Sequence, residues 1–217
     1  SLLVDFGTNN SRIEGRPRRE IFDVIISDLS TIKSKNLLLT HFHMDHLSGL
    51  LYMMKKKDIS VDFGKIYLPD VFSKKEMSRT LVLLLLADLL KESGLPSRQV
   101  SLFALVDALL ENKQNVELLS RGKLFENKYQ ALWPDTDVIR KETDEVYNRI
   151  CEDGKFKEVM DVLLEFAEKL RLIVWSMTAE GNKPAETVEK ETDLTASELT
   201  EQPEVRQKII RAYVYER

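Results

Sequence analysis

One cysteine, Cys151, stands in a chain of 217 residues, so no intramolecular disulfide can form. That usage fits a reducing compartment such as the cytoplasm, or simple disuse of disulfides. Within a helical pattern, a solitary cysteine serves as a small apolar residue. Long apolar runs are equally scarce. The longest, "LVLLLLADLL" at 81–90, is interrupted by Asp88 and closed by Lys91. A bilayer span takes about 20 apolar residues, so no membrane segment is expected in this chain. No basic, then apolar, then small-residue leader opens the sequence. A surplus of positive charge is missing too: 32 Lys and Arg face 36 Asp and Glu, a formal net charge of −4. Such a balance offers no global attraction to nucleic acid or to an anionic membrane. Two local basic clusters, "GRPRR" at 15–19 and "MKKK" at 54–57, stand against that background.

What remains is ordinary for a folded chain. Hydrophobic content of 43% and charged content of 31% suit one domain, or a domain carrying a large insertion. The first segment, "SLLVDFGTNN", begins inside an apolar run without an initiator Met. The last, "KIIRAYVYER", stops inside a patterned segment, and a fragment of something longer is expected.

Periodicity then predicts the elements. A short strand at 2–5 is closed by Gly7 and the turn-forming "TNNS", and a basic polar loop follows at 12–19. Ile21, Phe22, Ile25, Ile26 and Leu29 recur at helical spacing over 19–32. An apolar strand is expected at 36–40, a short helix at 47–58, and a strand at 65–69 ended by Pro69. Two helices follow: one at 74–94, with Gly94 as terminator, and one at 96–112. Two β segments around a turn at Gly122 fill 115–134, and one or two long helices fill 136–180. The polar stretch 181–203 reads as a loop or short helix, and 204–217 as helix passing into strand. Helix and strand alternate in the first 70 residues, which is the rhythm of an α/β fold. Val159, Met160, Leu163, Leu164, Ala167 and Leu170 form a stripe for core packing, and Trp133 and Trp175 are expected to pack as well.

Histidine is the most unevenly placed residue. All three lie in "LLLTHFHMDHLSGL", residues 37–50, spaced H-x-H-x-D-H. A lone histidine is usually a hydrogen-bonded core or surface residue. Three with an aspartate, directly after a buried strand, point to a metal. Side chains at i and i+2 of extended chain share a side. His41 and His43 then approach one ion together while Phe42 turns inward, and Asp45 continues that face. His46 points elsewhere and could serve a second ion. Zinc favours imidazole and carboxylate ligands and keeps a position for water in catalytic sites; iron suits the same donors.

The segment closely resembles the signature of the metallo-β-lactamase fold superfamily, a buried strand ending in T/S-H-x-H-x-D-H-x-x-G. The upstream "LLVDFGT" matches that superfamily's strand ending in an Asp-x-Gly turn beside the metal loop. The resemblance covers residues 2–50 and extends through 69. It implies an αββα sandwich, held here in part, with a metal site at one edge that usually contains two zinc ions. On this resemblance His41 and His43 would bind the first ion, and Asp45 and His46 the second. Asp45 would also assist a zinc-bound hydroxide as general base. Asp5 would steady the loop by hydrogen bonding from behind the ligands, and Gly49 would permit close backbone approach. "VELLSRGKLFENKYQALWPD" is similar to a β pair in the hydrolase domains of bacterial DNA-uptake (competence) proteins. By this reading residues 1–135 form the metallo-β-lactamase-like part, and 136–217 a helical insertion or lid within the same domain.

The superfamily supplies three further ligands downstream, yet no histidine follows His46. Asp135 or Asp137 could substitute. Otherwise the remaining ligands lie on strands that this chain does not contain, or the site is incomplete and binds metal weakly. Two functions compete. One is a metal-dependent hydrolase acting on a phosphodiester such as nucleic acid, or on a carboxylic ester, thioester or lactone. The other is a non-catalytic binding module on the same scaffold, with the helices as partner surface.

Overall fold

The computed structural model describes residues 1–56, 61–92 and 101–179. The readings at 57–58, at 93–100, including Gly94, and from 180 to 217 lie outside the described residues. The chain opens with β1 (Leu2–Val4), then β2 (Arg12–Ile13) and β3 (Arg16–Pro17), and then α1 (Arg18–Thr31). Next come β4 (Asn36–Leu38), α2 (Met44–Met54) and β5 (Ile66–Pro69). After a 3-10 turn at Lys75–Met77 follow α3 (Ser78–Glu92) and α4 (Ser101–Glu111). The remainder is β6 (Val116–Leu119), β7 (Leu124–Phe125), β8 (Tyr129–Gln130), α5 (Thr136–Glu152) and α6 (Gly154–Ser176). The protein is therefore mixed α/β, with six helices among the described residues.

Four strands form one parallel sheet in the order β1-β4-β5-β6. Leu3 stands opposite Leu37, Leu37 opposite Ile66, and Ile66 opposite Val116. Parallel neighbours require crossovers, which α1, α2 and the α3–α4 pair supply. Beyond β6, Thr178 makes an isolated parallel bridge to Val116, so the chain leaving α6 returns to that edge of the sheet.

Side chains alternate across the sheet, and the two faces differ. Leu37, Ile66, Leu68, Val116 and Leu118 are buried in the main hydrophobic cluster, with Leu47 and Leu50 of α2, Leu81 and Leu85 of α3, and Val106 of α4. Tyr147 of α5 and Val159, Met160, Leu163, Ala167 and Leu170 of α6 belong to the same cluster. The expected helical stripe packs as read, apart from Leu164, which is half-buried. On the other face, Tyr67 and Leu119 meet Phe125 and Ala131 of the β7–β8 hairpin, with Leu2 and Leu38 at the margin.

Several expectations need correction. The stretch 12–17 is an antiparallel hairpin rather than a loop. The turn at Gly122 exists, with φ +90°, but the strands flanking it do not pair. β6 joins the parallel sheet because Val116 and Leu118 point into the helical core, and the hairpin forms separately around Glu126–Asn127. Trp133 is 58% exposed and does not pack in the core. Trp175 and Cys151 are half-buried against it. Among the described residues, no helix is long and apolar enough to cross a membrane.

Candidate metal centre

The histidines sit at the carboxyl ends of β1 and β4. In open parallel sheets this is where ligands bind. β4 ends at Leu38, sooner than expected, and the chain bends through Thr40–His43 before α2 starts at Met44. The helix therefore begins inside the motif. Asp45 lies in its first turn, where the amino-terminal dipole favours a carboxylate, and does not continue a strand face. Phe42 is buried against Phe72, with ring centroids 5.7 Å apart, so it anchors the bend as expected.

One ligand atom each from His41, His43 and Asp45 lies within 4.8 Å of the other two. His41 and His43 meet edge to face at 4.9 Å between centroids. His46 stands outside that group of three. Its Nε2 lies 3.7 Å from Asp45 Oδ2, and its Nδ1 lies 2.8 Å from Asp5 Oδ2. The ring is thus held from behind by a carboxylate and faces the Asp45 carboxylate with its other nitrogen.

Thr40 escaped the sequence reading, although it joins these groups. Its backbone N–H donates to Asp5 Oδ1 at 2.8 Å and its hydroxyl donates to Asp5 Oδ2 at 2.7 Å. His41 Nδ1 lies 3.1 Å from the same hydroxyl oxygen. A hydroxyl has one proton, and Thr40 gives it to Asp5. His41 must then carry its proton on Nδ1, which leaves the Nε2 lone pair for a metal. Burial, and the neighbouring His46 and His43, hold the His41 pKa below its usual value. A neutral imidazole is the form that ligates. Burial works against the charge on Asp5, but the hydrogen bonds from Thr40 and His46 outweigh it and hold its pKa below the ordinary carboxylate range.

Local backbone explains the tight fit. Asp5 adopts φ +53°, a left-handed conformation that Asp tolerates better than most residues. That turn sends Phe6 across the start of α2. Phe6 N–H donates to His46 O at 3.0 Å, and Phe6 O accepts from Gly49 N and Leu50 N. A Cβ on Gly49 would lie 2.6 Å from the Phe6 ring. One on Gly7 would lie 2.7 Å from backbone atoms of Asp45, His46 and Leu47. Both glycines are required by close approach. The T/S preceding the first histidine and the glycine after Asp5 were the available signals for the contacts that sequence reasoning missed.

Asp135 and Asp137 do not reach the cluster. Asp135 caps α5, accepting from Val138 N, and pairs with Arg121 at 3.0 Å. Asp137 is an exposed partner of Arg140. The two basic clusters also separate. Lys55 and Lys56 lie at the far end of α2, which is about 16 Å long for its 11 residues, and Lys56 pairs with Asp23. The β2–β3 hairpin, with Arg12 and Arg16, lies on the chain segment tied to α2 through Thr8, whose N–H donates to Ser48 Oγ. No family model matches this sequence, and neither a curated protein nor a solved structure matches it. Function must therefore be argued from the chemistry of the cluster.

Proposed function

We propose that this chain is a metal-dependent hydrolase of the metallo-β-lactamase type. On this reading its parallel sheet is one layer of an αββα sandwich, and α5 with α6 is an inserted cover. The observation that carries the proposal is the convergence of His41, His43 and Asp45 within 4.8 Å at the carboxyl end of the sheet. Two imidazoles and a carboxylate are a donor set that fits zinc, and the Asp5–Thr40 bracket holds His41 in the neutral tautomer such a site needs. His41, His43 and Asp45 would hold one divalent ion, and His46, opposite Asp45, would help hold a second. A bound ion supplies an acidified water at neutral pH and offsets negative charge developing on the substrate. Asp45 is the one carboxylate of the cluster placed to take a proton there. Asp5 keeps His46 Nδ1 protonated and so leaves Nε2 toward Asp45. The substrate is a phosphodiester or an ester, and the exposed arginines of residues 12–19 favour the phosphodiester.

Metal content per chain tests this, on protein purified without added metal, for wild type and His43→Ala. Zinc bound by the wild type and lost in the variant is expected, together with metal-dependent turnover of bis(p-nitrophenyl) phosphate or p-nitrophenyl acetate. Saturating zinc should also stabilise the wild type by about 2.7 kcal/mol at one hundred times Kd. A wild type that binds no metal, or as much as the variant, would overturn the reading. Tight binding without turnover would identify a non-catalytic module instead.

A further inference from the structure

The β2–β3 hairpin has no role in the cluster itself, yet it is anchored to the helix that carries His46. Thr8 N–H donates to Ser48 Oγ at 2.8 Å, and that hydroxyl donates back to Thr8 O at 2.9 Å. Ser48 is two residues beyond His46 on α2, and Thr8 is three beyond Asp5. Arg18 Nη1 donates to the same Thr8 carbonyl at 3.0 Å, and the Arg18 backbone N–H closes the hairpin base on Ser11 O at 2.9 Å. Three residues of chain span at most about 11 Å, so the hairpin base stands within that distance of Thr8. Residues 11–20 hold four arginines against two glutamates, on a chain whose formal net charge is −4. Arg12, Arg16 and Arg19 are exposed, while Arg18 is half-buried and committed to the anchor. Arg16 has one acidic partner, Glu20 at 3.6 Å, on the surface; such a pair is worth little and exchanges readily. Arg12 is braced over the turn by two hydrogen bonds to Gly15 O, a neutral partner, and makes no ion pair among the described residues.

We infer that this hairpin holds the phosphate backbone of a nucleic-acid strand beside the histidine cluster, with Arg12, Arg16 and Arg19 making the phosphate contacts. The inference rests on the hydrolase reading for its purpose, but not for its chemistry. Guanidinium groups suit phosphate because their planar donors match its oxygens. One strand of DNA carries a phosphate about every 3.4 Å, so at most about three phosphates span the stretch from Thr8 to the hairpin base. A repeating polyanion engages several separated arginines at once, which a single small ester does not. The acidic remainder of the chain repels the strand elsewhere and confines it to this edge.

Binding is measured on metal-free protein, by fluorescence anisotropy with a labelled 20-nucleotide single-stranded DNA and its duplex, at several salt concentrations. The wild type is expected to bind with marked salt dependence. The triple variant Arg12→Gln, Arg16→Gln, Arg19→Gln should bind at least tenfold more weakly, with a salt slope lower by about 2 for single strands. Because Arg12 braces the turn, the double variant Arg16→Gln, Arg19→Gln is measured alongside, with a thermal melt of each; it should bind several-fold more weakly at unchanged Tm. Because binding is read without metal, failure of the metal reading leaves this result untouched. Wild type that fails to bind at 50 mM salt, folded variants within twofold of wild type, or equal affinity for anionic phospholipid vesicles would each overturn the inference.

Discussion

The two faces of the parallel sheet differ in what covers them. Leu37, Ile66 and Leu68 point into a helical layer and are fully buried. Val4, on β1 and facing the other way, is 52% exposed. Its face mixes Leu2 and Leu38 with Asn36 and Glu117, and the β7–β8 hairpin packs on Tyr67 and Leu119. All-parallel sheets usually have both faces covered; here one face is a core and the other a margin. Asp5, Thr40 and the histidines leave the sheet where these faces meet. The rigid face positions the cluster, and the open face leaves it accessible.

The comparison breaks most visibly on the covered face. Leu68→Ala should cost about 2–5 kcal/mol, because a fully buried leucine loses its transfer energy and leaves a cavity between β5 and the helices. Urea denaturation measures it. A loss below about 1 kcal/mol would mean that the helical layer is not packed on the sheet.

A smaller effect is expected at the boundary. Asp5→Asn keeps a residue that tolerates φ +53°, so the backbone turn survives. The amide nitrogen, however, accepts no hydrogen bond, so either the Thr40 N–H or the pair of Thr40 hydroxyl and His46 Nδ1 loses its acceptor. Metal affinity should fall about 10- to 100-fold while the fold persists, as when partners behind metal ligands are lost. Competition against a chromophoric zinc chelator reads this directly, and an affinity within twofold of wild type would show that the bracket does not orient the ligands.

How much of this was legible in the sequence follows from range. The histidine cluster was readable from its spacing along the chain, and Asp5 and Gly49 from the resemblance to a known motif. Strands at 2–5, 36–40 and 65–69 and the helix at 19–32 emerged close to their positions, because their apolar periods are strong. Thr40 was passed over, because its role depends on an aspartate 35 positions away. The start of α2 at Met44 was hidden by the motif itself, which reads as extended while its second half is already helical. β6 was paired with the wrong neighbour, because a turn at Gly122 suggests a local hairpin and says nothing of β5. The Tyr67–Glu126 contact spans 59 residues and had no local signal at all.

That contact gives the next prediction. Tyr67 OH donates to Glu126 Oε1 at 2.7 Å, and Asn36 Nδ2 donates to the same oxygen. Tyr67→Phe removes one such bond on the partly covered face and should cost about 0.5–1.5 kcal/mol at neutral pH. The hydrogen bond from Tyr67 holds Glu126 below its usual pKa, against a smaller opposing effect of burial. A carboxylate with a depressed folded-state value contributes stability above its unfolded pKa and loses it as pH falls through the folded value. Burial and Glu126 raise the Tyr67 pKa, so its contribution is complete below the unfolded tyrosine value near 10 and is lost as pH rises through the folded one. The difference between wild type and Tyr67→Phe should therefore be flat from about pH 5 to 9 and shrink in acid. A difference that grows in acid would assign Glu126 another partner.

The smallest effect is the sharpest test of the comparison. Val4→Ser replaces an apolar side chain on β1, one residue before the site, at a position already half in water. If the face is open, little apolar area is lost on substitution, and the change should stay within about 0.5 kcal/mol, as for surface positions generally. Zinc uptake should not move, because the Asp5 and Thr40 bonds do not involve the Val4 side chain. A loss above about 1.5 kcal/mol, close to what burying a whole valine is worth, would mean that something covers this face in the folded protein. The cluster would then lie between two layers, and whatever supplied the second would stand beside His46 and be able to contribute to its chemistry.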